Sequence, residues 1–319
     1  MNFTQFKNLF EKKEVTEYKN KAVHTPLVSI CIQTYNQASY IKESLDAILS
    51  QKINFSIELL LGDDDSTDGT REICIAYAKK YPEKIRLFFH HRMNNISVSG
   101  KPTGIFNSLY NIFSSRGKFI AYCDGDDLWD DTYKLQKQVD YLRANPNTSF
   151  TYHEVKLIDK NGLLISNNSD LKLSERDFTS TQLKKAFIQP PISTWCFRNQ
   201  IKDIPIEFTK IFNGDNFWMS LLGNYGDGKY LENIKPSFYR IHPASIWSTA
   251  EKSFQLKSKF ETYSYLSKYY KRKKDKNLSE HFKSRANNYA KMIFKYYLKR
   301  KKMLEIIKFL KFYLQTLQL

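Results

Sequence analysis

The chain has 319 residues, enough for one α/β domain of about 200–250 residues with an appendage. Its 41% hydrophobic and 15% aromatic content excludes a disordered chain, and no stretch reaches the roughly 18–20 apolar residues needed to span a bilayer. The net charge of +17 sits at one end: residues 251–319 hold 19 Lys/Arg against 5 Asp/Glu, so the first 250 residues are close to neutral.

Residues 1–26 are polar with scattered Phe and Leu, and read as a short helical segment and a linker closed by Pro26. They lack the apolar core of a signal peptide. From Leu27 strands alternate with helices. Residues 27–33 (LVSICIQ) form a short apolar, β-branched run and predict a buried strand. Ser39 is expected to cap an amphipathic helix with Ile41, Leu45, Ile48 and Leu49 on one face. Residues 57–61 (IELLL) predict a second buried strand, followed by a helix with Ile73, Ala76 and Tyr77 inward. Residues 85–90 read as a third strand, 104–115 as a helix and 118–123 (KFIAYC) as a fourth strand. A helix at 131–144 follows. Then the pattern mixes: strands at 149–159, 192–197 and 237–242, a hairpin-like turn at 160–162, and a helix from about Asp215 to Asn224. Everything beyond 248 reads as helical, with Met303, Ile307, Leu310, Leu314 and Leu317 at helical spacing. The four cysteines, Cys31, Cys74, Cys123 and Cys196, form no C-x-x-C pair and no zinc spacing, which suits a reducing cytoplasm.

Strands about 30 residues apart with helices between them predict right-handed βαβ units and a mostly parallel sheet. Ligands of such sheets bind beyond the carboxyl ends of the strands. Three polar clusters fall there: Thr34-Tyr35-Asn36, Asp63-Asp64-Asp65, and Asp124-Gly125-Asp126-Asp127. The last places three carboxylates in four residues, which calls for a compensating cation. Oxygen ligands of this kind suit Mg²⁺ or Mn²⁺, and such an ion can neutralise a diphosphate leaving group. The bland alternatives are a solvated acidic turn and helix capping by Ser, Thr and Asp. Asp215 stands at a helix start, where a carboxylate can act as a general base or merely cap. Lys101, preceding a helix, is a candidate phosphate contact.

Together, VSICIQTYN (28–36), IELLLGDDDSTDGT (57–70) and KFIAYCDGDDLW (118–129) resemble the donor-binding half of glycosyltransferase family two, with the GT-A fold. The likeness continues more weakly to about residue 248 through NGDNFW (213–218) and YRIH (239–242). It implies a domain over 27–248, with nucleotide-sugar binding in 27–150, the acceptor side in 151–248, and a basic helical region over 249–319. By that resemblance Thr34, Tyr35 and Asn36 line the nucleotide pocket and Asp64 binds the base, typically uracil. Asp124 and Asp126 are the acids of the D-x-D motif, the first meeting ribose and the second the metal. Asp127 matches a frequent third acid. Asp215 is the general base and His242 meets the diphosphate or metal. The activity implied is inverting transfer from a UDP-sugar, with Mn²⁺ or Mg²⁺, to a glycan or lipid-linked glycan in bacterial surface polysaccharide synthesis. Two positions depart from the family pattern: Gln33 where most members have Pro, and Asp65 where most have Gly.

The basic tail carries YYKRKK (269–274) and KRKK (299–302) among Tyr, Phe and Leu. It suits an anionic membrane surface, which would make the enzyme peripheral on the inner face of the cell membrane. Nucleic-acid binding and a plain helical bundle are the competing readings, and no nucleic-acid partner is expected. The alternatives to a glycosyltransferase are a non-enzymatic basic nucleic-acid- or membrane-binding protein, which gives the acidic turns no role, and a nucleotidyltransferase on a similar sheet. The latter would want a Gly-rich basic loop after the first strand, and no G-x-G-x-x-G or P-loop is present.

Overall fold

The computed structural model describes residues 1–165, 176–187 and 189–318. The chain opens with a short helix, α1 (Phe3–Phe10), closed at its start by a reciprocal Asn2–Gln5 capping box. Edge strand β1 (Thr16–Glu17) follows, then β2 (Val28–Thr34), helix α2 (Ile41–Leu49), β3 (Ile57–Asp63), helix α3 (Thr70–Lys80) and β4 (Ile85–Phe89). A small hairpin, β5 (Ser97–Val98) and β6 (Lys101–Pro102), precedes helix α4 (Ile105–Ser114). Strands β7 (Phe119–Tyr122) and β8 (Leu128–Trp129), helix α5 (Lys134–Ala144), and strands β9 (Thr148–Tyr152) and β10 (Val155–Ile158) complete the first half. Then come helix α6 (Ser180–Lys184), β11 (Cys196–Arg198), helix α7 (Gly214–Leu222), β12 (Asp227–Tyr230) and β13 (Ser237–Arg240). Three helices follow: α8 (Lys252–Arg272), α9 (Lys276–Lys299) and α10 (Met303–Gln318).

Among the described residues the main sheet has the order β1-β4-β3-β2-β7-β11-β9-β12. Strands β4, β3, β2 and β7 are mutually parallel, whereas β11 runs antiparallel to both β7 and β9. The apolar runs are continuous because both faces are covered. Ile30, Ile32, Leu59 and Leu61 point to one core, shared with Ile41, Leu45, Cys74, Leu135 and Val139 of α2, α3 and α5. Cys31, Leu60, Ile120 and Tyr122 point to the other, which runs through Phe106 and Leu109 of α4 into Phe260, Tyr263, Phe282, Ile293 and Phe309 of the last three helices. The basic C-terminal region is therefore packed onto the same core as the sheet. All four cysteines are buried and free, packed as small apolar groups. No helix among the described residues is long and apolar enough to cross a membrane.

Several local expectations are corrected. Ser39 does not cap α2: the cap position is Tyr40, without a side-chain hydrogen bond, because the turn is closed by the Gln37 carbonyl accepting from Tyr40 N and Ile41 N. In α3 the inward residues are Cys74 and Ala78 rather than Ala76, which is exposed. The single strand expected at 149–159 is two, and 192–197 begins as a 3₁₀ turn over Ile192–Thr194 before β11. The 160–162 turn forms as expected, with Asp159 Oδ1 accepting from Asn161 N and Leu163 N. In α10 the residues facing the core are Ile306 and Phe309; Met303, Ile307, Leu310 and Leu314 face outward. The side chain of Leu317 lies outside the described set.

Candidate active site

The parallel strands β2 and β3 end in register, Thr34 beside Asp63, so the loops that follow start side by side. Thr34 is buried, its hydroxyl donating to Gln37 Oε1 at 2.7 Å. Asn36 takes a left-handed backbone (φ 50°), which Asn tolerates better than most residues. It then ties the two loops together: its N–H donates to Ser66 Oγ, and its side-chain oxygen accepts from Thr67 N, both at 2.9 Å. Asp65 also has a positive φ (65°), which gives a conformational reason for glycine to be favoured at this position.

Asp64 projects from this loop. Its carboxylate accepts from the Arg92 guanidinium and from Asn95 Nδ2 at 3.3 Å. Burial nevertheless holds its pKa up at about 6, against the lowering pull of Arg92 and Asn95. The Arg92 guanidinium lies 4.1 Å from the centre of the exposed Tyr35 ring. Asp64, Arg92 and Tyr35 thus form one continuous polar–aromatic ledge. Arg92 and Asn95 come from the loop after β4, the third parallel strand, and the sequence reading missed them. The strand-end rule, applied to that strand as to the others, is the signal that could have found them.

The second acidic turn follows β7. Gln33 Nε2 donates to Asp124 Oδ1 at 2.8 Å and so holds the first carboxylate of the turn. Burial and the neighbouring Asp126 charge raise Asp124 to about 7. Asp127 is buried, and burial with its two acidic neighbours raises it well above the ordinary range; its Oδ1 accepts from Arg240 N at 3.2 Å. Gly125 is tightly enclosed: a Cβ there would meet the Gln37 side-chain oxygen and stand 3.0 Å from both Thr34 Oγ1 and Ile41 Cδ1.

What closes this turn arrives from more than a hundred residues away. Strand β13 pairs with β8 on one side and β10 on the other, a small sheet that lays residues 237–242 along the acidic turn. Arg240 donates through Nε to the Asp126 carbonyl at 3.1 Å and through Nη2 to Glu43 at 2.6 Å, with its guanidinium over Tyr40. Two residues on, His242 Nε2 stands 2.9 Å from Asp126 Oδ2, its ring against Tyr40. Among the described residues no Lys or Arg forms an ion pair with Asp124, Asp126 or Asp127. The carboxylates of the turn thus have no Lys or Arg ion-pair partner among the described residues, although the Arg240 guanidinium reaches the Asp126 carbonyl beside them.

Asp215 lies in the first turn of α7, where its Oδ1 accepts from Asn216 N at 3.0 Å. Beside it, Lys259 of α8 donates to Asn216 Oδ1 at 2.9 Å and to Gln189 Oε1, under the face of Trp247. Burial lowers the Lys259 pKa and the Asp215 charge opposes that. Trp247 stacks on Phe212, just ahead of α7. The 242–247 segment therefore leads from Asp126 to the neighbourhood of Asp215. The Lys101 ammonium lies 3.9 Å over the Phe254 ring, which packs edge-on against Phe212. A separate cavity of about 660 Å³, lined by Met1, Leu9, Ile206, Tyr269 and Arg272 among others, contains none of these acids.

A divalent cation is implied by the family. Among the described residues no three His, Cys, Asp or Glu side chains surround a common point. One carboxylate and one imidazole 2.9 Å apart, in an acidic turn whose carboxylates have no Lys or Arg ion-pair partner among the described residues, do fit an ion that takes most of its ligands from substrate phosphates and water.

A doubly covered parallel sheet with acidic turns at its carboxyl edge, closed by an antiparallel return strand, is the GT-A fold of nucleotide-sugar transferases. Structural comparison agrees: the Staphylococcus aureus TarS fragment 1–349, solved in complex with UDP, matches at TM-score 0.51 and 16% identity over 75% of this chain and 65% of that one. Residues 29–203 match the model of glycosyl transferase family 2, and the chain belongs to that family. An uncharacterised Mycobacterium tuberculosis (H37Rv) protein is 30% identical over 223 residues, 70% of this chain and 61% of the relative, so the match spans under two thirds of that relative. The putative teichuronic acid biosynthesis glycosyltransferase TuaG of Bacillus subtilis (strain 168) is 28% identical over 137 residues, 43% of this chain and 50% of that one.

Proposed function

We propose that the chain is an inverting glycosyltransferase that moves a sugar from a nucleotide-diphosphate donor, foremost a UDP-sugar, to an acceptor hydroxyl of a glycan or lipid-linked glycan in surface polysaccharide synthesis. The observation that carries this reading is the Asp126–His242 pair, set into an acidic turn whose carboxylates have no Lys or Arg ion-pair partner among the described residues, at the carboxyl edge of the parallel sheet. The UDP bound by TarS supports the donor class, and the name of TuaG supports the product class.

In this reading Tyr35 and the Thr34–Asn36 turn bound the base pocket, and Asp64 accepts from a base N–H while Arg92 holds its carboxylate in place. Asp124, steadied by Gln33, accepts from ribose hydroxyls. Asp126 and His242 would hold Mn²⁺ or Mg²⁺, which when bound supplies the positive charge that stabilises a diphosphate leaving group. Asp215 takes the proton of the acceptor hydroxyl as its oxygen attacks the anomeric carbon. The bond from that carbon to the diphosphate oxygen breaks in the same displacement, so configuration inverts. A base so placed contributes about 10²–10⁴ in rate. Lys259, bonded to the neighbouring Asn216, stands beside that carboxylate.

The test is binding and nucleotide release with a panel of UDP-, GDP-, CMP- and dTDP-sugars in Mn²⁺, Mg²⁺ or EDTA. Metal-dependent binding or slow hydrolysis of a UDP-sugar is expected. A folded protein that binds none of them with metal present overturns the reading.

A further inference from the structure

Helix α10 is apolar on two faces. Ile306 and Phe309 are buried (8% and 1% exposed), packed with Phe260 and Phe294. On the other side Met303, Leu304, Ile307, Leu310 and Leu314 are each more than 40% exposed, Leu304 at 64%, and Leu298 at the end of α9 extends the patch. A helix with apolar residues over most of its circumference is ordinarily buried, and an exposed row of five large side chains is an interaction surface. Its surroundings decide the partner. Lys299, Arg300, Lys301 and Lys302 are exposed in the turn that leads into the row, and Lys308 and Lys311 are exposed on the helix itself. Between residues 295 and 311 stand seven Lys/Arg and one acid, Glu305, which is paired with Lys308.

We propose that this face of α10 docks on an anionic lipid surface, the apolar row entering the headgroup boundary and the 299–302 cluster resting on lipid phosphates. The ring of like charge argues against a second copy of the chain on the same face, because such a contact would bring two basic clusters together with one acid, Glu305, on each copy to offset them. Apolar burial and attraction to anionic lipid act together in such helices. The surface is independent of the donor site, and it would hold a transferase near a lipid-linked acceptor.

The test uses the full chain and sedimentation with vesicles of mixed phosphatidylglycerol and phosphatidylcholine, against pure phosphatidylcholine. Binding is expected to the mixed vesicles only, and to weaken with salt. Each Lys/Arg at the surface is worth about fivefold in partition, so replacing Lys299, Lys301 and Lys302 by Gln should lower it about 10²-fold. Ile307→Glu with Leu314→Glu should abolish binding while thermal stability and UDP affinity stay unchanged, since both side chains are exposed. Equal binding to pure phosphatidylcholine overturns the proposal, as does absence of binding to either. So does self-association without vesicles that Ile307→Glu removes, which would make the partner a second copy. UDP binding measured in the same samples separates failure of this proposal from failure of the donor reading.

Discussion

Arg92→Ala isolates the nucleotide end of the site. The Asp64 carboxyl stands at about 6 because desolvation outweighs the Arg92 and Asn95 hydrogen bonds. A hydrogen bond between charged groups contributes about 1.5–3 kcal/mol. Arg92 is 32% exposed, and screening takes its share to the lower end, about 1.5 kcal/mol. That equals about one pKa unit, so the Asp64 carboxyl should titrate near pH ~7 once Arg92 is gone. The sign follows: a raised carboxyl loses its charge as pH falls through its folded pKa, so at neutral pH about half the variant carries a neutral Asp64, against about a tenth of the parent. Loss of the guanidinium over Tyr35 removes a further ~0.5–1 kcal/mol from the ledge if the base stacks there. Together these predict UDP affinity about four- to tenfold weaker at neutral pH, and an acid limb of binding displaced upward by about one unit. Calorimetric titration of UDP with Mn²⁺, across the range that brackets both values, measures this. The Asp64→Asn variant is the control and should lack that limb. An Arg92→Ala protein with the parent's acid limb, or an Asp64→Asn protein that retains it, refutes the reasoning.

Asp126→Ala should make UDP affinity indifferent to EDTA, as measured in the same titrations. Asp215→Asn should lower kcat by about 10²–10⁴ with UDP affinity within about twofold of the parent, because its role lies in the transition state; equal loss of binding in these two variants would undo the division of roles. Gly62→Ala tests packing next to the site: the added methyl would collide with the Asn107 carboxamide and stand 2.9 Å from His90 Nε2, both in the buried layer beneath β3. Overpacking of this kind costs about 1–3 kcal/mol, so thermal denaturation should show a melting point several degrees lower.

The parts of the molecule written in short sequence windows were legible. Short runs such as IELLL, bounded by turn residues, read as strands buried on both faces, and the polar residues that end them then fall at one sheet edge. What escaped depends on partners distant in the chain. Nothing near residue 196 announces that β11 will sit between β7 and β9, and no local signal ties Arg240 to Glu43 and the Asp126 carbonyl. Ser39 has the right chemistry for a cap but loses to the turn closed by Gln37. The spacing of Met303, Ile307, Leu310 and Leu314 is correct for a helix, yet periodicity does not say which of two apolar faces meets the core. Arg92 was within reach of the strand-end argument and was missed because the residues after the third strand carry no acidic cluster.

The position of β11 also governs how the protein can be made. Strand β7 has β2 on one side, and among the described residues its other edge pairs with Cys196–Arg198. During synthesis, therefore, the first four parallel strands can assemble while the backbone groups of Phe119–Tyr122 remain open along one edge for some seventy further residues. Such an edge is a template for unwanted pairing. A fragment cut after residue 150 would carry it permanently, so the nucleotide-binding half, which reads in sequence as a separable module, is expected to aggregate when expressed without the segment that returns to close it.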